Sequence, residues 1–475
     1  MTAETPRPMP NVAVVGGGLA GLAATVGLAS AGCRVHLYEA RRVLGGRASS
    51  FRDPASAELV DQCQHVGMGC CTNLIDFCRR TEMDSLFRRH RTLWFVAPDA
   101  LIHRFAGVGW LPAPLHLAPG FWRLKFLPVA DRLRVARAMW KLMRHPLDDA
   151  PDGPTAAGWL EQNGQSPLAI ERFWRVILVS ALGESLELAS AKAARKVIVD
   201  GFLSACDAYV VDVPAVPLES LYGEKLVAWL ARHDVQLNLA TSVRRVVPGK
   251  PTRLELADDR QQEHDAVVVA VPWSKAADLV DTGDAPLLPH ADDWARFDTA
   301  PVTGVHLWFD RPIMDLPHAV LVGRLSQWIF NRSWPQPGDG AAGHYYQVVI
   351  SGSHELGGRD RDAIAAEVRD ELAAIWPEVI TARLLRARVV TDPNAVFSPR
   401  PGRESQRPPQ QTACDRLWLA GDWTATGWPA TMEGAVRSGY RAAEGVLATF
   451  GCRRSLVVPD LRRGLLARLL VRESR

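Results

Sequence analysis

The sequence predicts an α/β fold in which a parallel-sheet domain, assembled from distant segments of one chain, carries an inserted α+β domain. Three observations support this. Near the N-terminus, Val12 to Val15 form a continuous β-prone apolar run, as in a strand buried on both faces, and a glycine-rich turn follows at once. Near the C-terminus a second apolar strand, Leu417 to Leu419, runs through Ala420 to Gly421-Asp422 and leads to a helix starting near Met432. Between these ends the pattern changes to mixed helices and alternating strands.

The first turn reads Gly16-Gly17-Gly18-Leu19-Ala20-Gly21 and meets the spacing G-x-G-x-x-G. Each glycine has a separate task. Gly16 permits the tight turn, Gly18 lets a pyrophosphate approach the backbone, and Gly21 lets helix and strand pack closely. The helix that follows, Leu22 to Ser30, aims free N–H groups and a positive dipole end at the phosphates, with Leu19 and Ala20 in the turn before it. A second strand, Val35 to Tyr38, ends at Glu39, whose carboxylate can accept both ribose hydroxyls. This is a Rossmann-type dinucleotide-binding unit, and Glu39 repels a 2′-phosphate.

Ala40 and Arg41 follow, then Gly45-Gly46-Arg47-Ala48. This second glycine pair resembles that of the flavin amine oxidase and carotenoid desaturase superfamily. The resemblance implies FAD, held non-covalently in a domain of the glutathione reductase type, with Gly45, Gly46 and Arg47 on its flavin and pyrophosphate side. It also implies that the backbone of Val243 meets the adenine. The C-terminal run, Gly421-Asp422 … Thr431-Met432-Glu433-Gly434-Ala435, fits the same superfamily. Asp422 can bond a ribityl hydroxyl or the pyrophosphate side. The Met432 amide, at a helix N-terminus, can donate to the flavin C2 carbonyl and stabilise negative charge on the reduced ring.

Details narrow the resemblance. Amine oxidases keep an aromatic residue where Thr431 stands, and their flavin-side lysine has no clear counterpart, Lys275 being the nearest in sequence. Asp61…Gln64-His65 and Gly421 to Gly427 are similar to the hydroxysqualene dehydroxylases of hopanoid pathways. That family implies a C30 isoprenoid substrate, hydroxysqualene, loss of its hydroxyl as water, and an external electron donor such as NAD(P)H or a redox protein. The departing hydroxyl needs an acid. His65 is the candidate, with Asp61 as its orienter; equally, Asp61, Gln64 and His65 can serve only as hydrogen-bonding supports of the loop. Trp423, Trp428 and Tyr440 are candidate aromatic faces for a cationic intermediate. The alternatives are a desaturase running the oxidative direction, an amine oxidase, or a flavin-stabilised scaffold without turnover.

The chain has 475 residues, enough for two or three domains. The expected division is a discontinuous FAD domain (1–85, 218–285 and 384–450), a substrate domain (86–217, largely helical, and 286–383, with a sheet) and a basic tail or helix (451–475). Net charge is +3, which is no nucleic-acid signature. Two segments concentrate it: 121–145 holds seven Lys or Arg against one Asp, and 451–475 holds seven Arg against two acids. In Val129 to His145, Arg134, Arg137, Lys141 and Arg144 share one helical arc, with Leu133, Ala136, Trp140 and Met143 beside it. A solvated face and an interfacial helix both fit. The basic segments suggest an anionic membrane surface. Residues 1–10 contain no apolar leader and no run of 18 apolar residues occurs, so the expected location is cytoplasmic, at the inner face of a membrane. The eight cysteines match no usual zinc spacing, and no metal is expected.

Overall fold

The computed structural model describes residues 9–54, 57–281, 287–288, 291–294, 296–333 and 343–472. Most of the N-terminal stretch read above (1–8), and the last three residues of the tail, lie outside them.

The first domain is a five-stranded sheet with every neighbouring pair parallel. Its order is Gln236–Asn238, Arg34–Tyr38, Asn11–Val15, Ala266–Val269 and Leu417–Leu419. The valine runs explain its place at the centre. Val12, Val14 and Val268 pack into one apolar core, and Ala13, Val15, Val267 and Val269 into another on the opposite face. On the first face, helices Leu19–Ser30 and Met432–Thr449 press together through small residues. A Cβ on Gly439 would lie 2.1 Å from the Ala20 carbonyl oxygen, so only glycine permits that approach. On the second face lie helix Trp273–Leu279 and the antiparallel strands Val243–Val247, Thr252–Leu256 and Gln261–His264.

The second domain is built on a seven-stranded sheet in the order Leu384–Phe397, Thr299–Phe309, His344–Ser351, Trp328–Asn331, His318–Leu321, Thr92–Val96 and Ile102–Ala106. Two boundaries differ from the sequence reading. The strands at 92–106 belong to this sheet, so its strands come from both inserted segments. Leu384–Phe397, assigned above to the FAD domain, pairs with Thr299–Phe309 along most of its length. Alternation marks a strand but not the sheet it joins, so the chain re-enters the FAD domain only after Phe397. The sheet has two distinct faces. Val305, Leu307, Val348 and Ile350 pack against helix Arg361–Ala373, while Val320 and Phe330 face the helical layer around Phe173, Trp174 and Leu178.

Helix Val129–Arg144 buries Val135, Ala138 and Leu142. Leu133 and Trp140, from the arc read as apolar neighbours of the basic stripe, are instead 56% and 50% exposed. The C-terminal segment is strapped down. Leu456 enters the FAD-domain core, Val471 enters the core beneath helix Val129–Arg144, and the short helix Leu465–Leu470 leaves Leu465 and Leu469 in solvent.

Candidate functional site

The two glycine turns read from the sequence meet in space. Gly45 N–H donates to the Gly17 carbonyl at 2.9 Å, and a Cβ on Gly46 would come within 3.0 Å of Gly18 Cα. Gly45 and Gly46 have φ of +100° and +62°, conformations that favour glycine. Gly16, at φ +112°, also abuts the end of strand Ala266–Val269; a Cβ there would sit 2.6 Å from the Ala270 carbonyl oxygen. Gly21 is tighter still, at 1.9 Å from the Gly16 carbonyl oxygen. Gly18 is the exception. An added Cβ meets nothing within 4 Å, so the side of the turn that should receive phosphate is open. Leu19 and Ala20 start the helix and are buried. Glu39 accepts from Gly17 N–H at 2.7 Å and Arg41 N–H at 2.8 Å, which fixes its carboxylate beside the turn. The exposed Ala40 and Arg41 lie alongside Ala240 and Thr241, whose amides donate to the carbonyls of Arg41 and Glu39. That contact brings Val243 near the same end.

The C-terminal anchor closes on the second turn. Arg47 pairs with Asp422 at 2.6 Å, across 375 residues of chain, and buried Ala48 donates its N–H to Gly45. Burial works to lower the pKa of the Arg47 guanidinium, but Asp422 outweighs it and holds the group above its ordinary value. Gly421 is required because a Cβ would lie 2.2 Å from Trp423 Nε1, and its N–H donates to Ser438 Oγ. Thr431 caps helix Met432–Thr449: its Oγ1 accepts from Gly434 N–H, and its carbonyl accepts from Ala435 N–H. Met432 is the first helical residue, so its amide has no partner within the helix. The open glycine turn, a cationic Arg47 and a free helix N-terminus on adjoining elements are a donor set that fits FAD. Gly18, Glu39, Arg47, Asp422 and Met432 would hold it.

The third part is the loop 61–65. Its candidate pair is not joined as expected. Asp61 Oδ1 accepts from Ser50 Oγ at 2.7 Å and Leu218 N–H at 2.9 Å, and Oδ2 faces Arg332 Nη2 at 3.2 Å. Its oxygens are thus committed to tying the domains together. His65 is oriented instead by a backbone group, with Nδ1 2.9 Å from the Cys63 carbonyl. Nδ1 therefore carries the hydrogen, and Nε2 remains for other partners. Burial pulls the His65 pKa below its ordinary value; the Cys63 carbonyl and Asp61 oppose this, and Arg47 adds to it. Gln64 donates to the His65 carbonyl.

This loop rests directly on the substrate sheet. A Cβ on Gly304 would lie 3.0 Å from the Gln62 carbonyl oxygen and 3.8 Å from Cys63 Cα. Beside it, buried His306 is held by Tyr345, with Nδ1 to Oη at 2.8 Å. Burial lowers the His306 pKa to about 3 and raises that of Tyr345, so both are neutral.

The three aromatic candidates do not gather here. Trp423 donates to the Val271 carbonyl and packs on Trp294 at 4.8 Å. Trp428 lies under the cations of Lys196 and Arg437, and Tyr440 donates to Asp76. All three are core. Lys275 is exposed on helix Trp273–Leu279. Several positioning residues escaped the sequence reading. Buried Arg407 donates to the carbonyls of Asp422 and Trp428, both at 2.6 Å, and so pins the ends of the intervening loop. Glu433 accepts from Asn73 and Leu74 N–H, at 3.0 and 2.9 Å, and pairs with Arg437, so it caps helix Thr72–Arg80 from another element. Only its place in the Met-Glu-Gly-Ala run hinted at a role. Arg332 carried no sequence signal.

The profile of the flavin containing amine oxidoreductases matches residues 19–447. The hydroxysqualene dehydroxylase of Sinorhizobium fredii is 29% identical over 91% of this chain and 97% of its own. The carotenoid phi-ring synthase of Streptomyces griseus is 31% identical over 94% of this chain and 89% of its own. Among solved structures, cyclohexylamine oxidase from Brevibacterium oxydans superposes with a TM-score of 0.66 over 94% of this chain and all of its own, at 18% identity, a likeness of fold.

Proposed function

The chain belongs to the flavin containing amine oxidoreductase family and is an FAD-dependent oxidoreductase, and from that premise we propose that it reduces hydroxysqualene to squalene with loss of water. The observation that carries this reading is end-to-end likeness to a hydroxysqualene dehydroxylase over nearly the whole of both chains. In the reaction a carbon–oxygen bond breaks, the hydroxyl leaves with an added proton as water, and a hydride takes its place on carbon. The chemistry that FAD would supply when bound is hydride delivery, with its re-reduction by an external donor, NAD(P)H or a redox protein. The protein supplies the rest. Gly16, Gly18, Gly45 and Gly46 would shape the pyrophosphate seat, Arg47 would balance its charge, and the Met432 amide, free at a helix N-terminus, would be available to donate to the flavin. His65, fixed through its Nδ1–H on the Cys63 carbonyl, would act as the acid after binding a second proton at Nε2, and its lowered pKa makes that proton readily given up to the departing hydroxyl.

The substrate is drawn from a bilayer. Trp110, Leu115, Trp122, Val129, Leu133, Trp140, Leu465 and Leu469 are all exposed. Arg132 donates to the Trp122 carbonyl and Arg144 to the Leu469 carbonyl, so helix Val129–Arg144 is tied to the elements that carry Trp122 and Leu469. Among the described residues no helix is long and apolar enough to cross a membrane. The basic charge would dock this surface on an anionic leaflet, the inner face met from the cytoplasm. Substituting Trp140, Leu465 and Leu469 by Ser should abolish flotation with anionic vesicles. Unchanged flotation would refute docking.

With flavin reduced anaerobically, hydroxysqualene should be consumed and squalene formed while flavin absorbance returns. His65→Ala should slow this about a hundredfold. A wild-type rate would remove the acid assignment and leave the reaction standing. Formation of a more unsaturated product from squalene by oxidised flavin, without reaction of the alcohol, would overturn the direction in favour of a desaturase.

A further inference from the structure

One face of the seven-stranded sheet carries a polar row where an apolar one would be expected. The register sets Arg388, His306, Gln347, Phe330 and His318 side by side on five adjacent strands. Arg388 is paired with Asp53 and His306 with Tyr345. Gln347, like His318 at the end of the row, is different. It is fully buried, and among the described residues neither Nε2 nor Oε1 has a hydrogen-bond partner. A buried amide that makes none of its hydrogen bonds is unfavourable, and such groups in folded proteins call for a missing partner. Its surroundings limit what that partner is. Phe330, its cross-strand neighbour, stacks on Trp328 with ring centres 5.5 Å apart and planes within 6°. Val349 stands two residues along the same strand and, with Trp328, packs into the core that also takes in Val66 and Met68. On the other side His306, its second cross-strand neighbour, adjoins Gly304, on which the Gln62–Cys63 backbone rests. Gln347 is therefore one strand away from the loop that carries His65, set among aromatic and aliphatic groups.

We propose that Gln347 is the specificity-determining residue that recognises the hydroxyl of an isoprenoid alcohol, its amide bonding the oxygen while Trp328, Phe330 and Val349 contact the adjoining hydrocarbon. The assignment rests on the substrate reading above. An amide suits this task because it both donates and accepts, and so matches a hydroxyl in either orientation. It is also uncharged, so it bonds the alcohol without demanding the solvation of an ion. A site built to pair with a hydroxyl rejects the analogue that lacks it, since the amide is then left unpaired.

The test is binding to the holoenzyme with oxidised FAD, where no turnover occurs, read as perturbation of the flavin spectrum by hydroxysqualene and by squalene. The wild type should bind the alcohol more tightly than the hydrocarbon. In Gln347→Met, of similar volume, alcohol affinity should fall about tenfold while squalene affinity is unchanged or improved. The melting temperature without ligand should stay level or rise, because an unpaired buried amide has been removed. A purely structural glutamine would give the opposite: a lower melting temperature, or equal loss for both ligands. Either outcome, or unchanged selectivity in both Gln347→Met and Gln347→Leu, overturns the assignment. Binding of neither ligand by the wild type overturns the substrate reading, and this assignment with it.

Discussion

Gly18→Val separates the cofactor from the fold. Gly18 has φ −76° and ψ 173°, an extended backbone that any residue adopts, and a Cβ there meets nothing within 4 Å. The ligand-free protein should therefore tolerate valine to within about 0.5 kcal/mol, the ordinary range for substitutions away from packed features. The cofactor should not. Valine fills the space through which a pyrophosphate reaches the backbone, and a penalty of about 3 kcal/mol is already more than a hundredfold in affinity. Gly21→Ala is the contrast. Its Cβ would fall 1.9 Å from the Gly16 carbonyl oxygen inside a buried helix, so the turn itself must move, at a cost of about 1–3 kcal/mol or more. The assay is flavin absorbance per protein after desalting, beside thermal melts of the apo forms. Gly18→Val should melt like the wild type and carry no flavin, whereas Gly21→Ala should melt lower. Full flavin content in Gly18→Val would refute the placement of the pyrophosphate, and a collapsed melt in that variant would refute the reading of open space.

Three further outcomes are expected. Acid precipitation should release a yellow chromophore that migrates as FAD, and colour kept by the pellet would mean a covalent link. Glu433→Ala should lower the melting temperature by a few degrees, since it uncaps helix Thr72–Arg80 and leaves the buried Arg437 only its pair with Asp460, a loss of about 1–3 kcal/mol; a melt within a degree of wild type would remove that role. Burial lowers the pKa of His306 to about 3 and of His264 and His318 to about 4, against an ordinary 6.5, so the unfolded chain binds more protons in acid. Stability should be complete above pH 6.5 and fall towards pH 4, by about 2 kcal/mol per histidine at pH 5, and His318→Phe should flatten the denaturant-measured slope.

The cofactor domain was legible because its rules are local. A valine run buried on both faces, a glycine where an added Cβ would meet a carbonyl at about 2–3 Å and an acid at a strand end each leave a mark on neighbouring residues. The parts that escaped depend on partners far along the chain. Nothing near Asp61 announces Arg332, and nothing in the Pro- and Arg-rich segment around Arg407 announces the two carbonyls it pins. The cap of helix Thr72–Arg80 is Glu433, some 360 residues later. The strand Leu384–Phe397 failed for a related reason. Alternation is a property of the strand, whereas sheet membership is a property of its neighbours.

The charges around the flavin-side loop bear on what kind of molecule the site admits. Arg332 pairs with Asp61, Arg388 with Asp53, and Arg386 with Asp53 and Glu58, and these pairs join the substrate sheet to the hairpin of the cofactor domain. Asp61 and Arg332 are almost wholly buried, so removing either would leave an uncompensated charge at a cost of about 3–5 kcal/mol, whereas Asp53 has two arginines. Buried pairs of this kind add little net stability; in this position they fix the loop against the sheet, as the Gly304 contact also requires. Their second effect is electrostatic. With those carboxylates and guanidiniums already matched, the groups left on the sheet face beside the loop are neutral: His306 and Tyr345 bonded to one another, Gln347 unpaired, Trp328 and Phe330 stacked. An ammonium group entering such a face would lose its hydration without meeting an anion, whereas an uncharged alcohol on a hydrocarbon chain loses little and gains the amide. On the proposed reading, the amine oxidoreductase scaffold disfavours an amine here because its charges are paired in advance, and this is the physical argument for an isoprenoid alcohol.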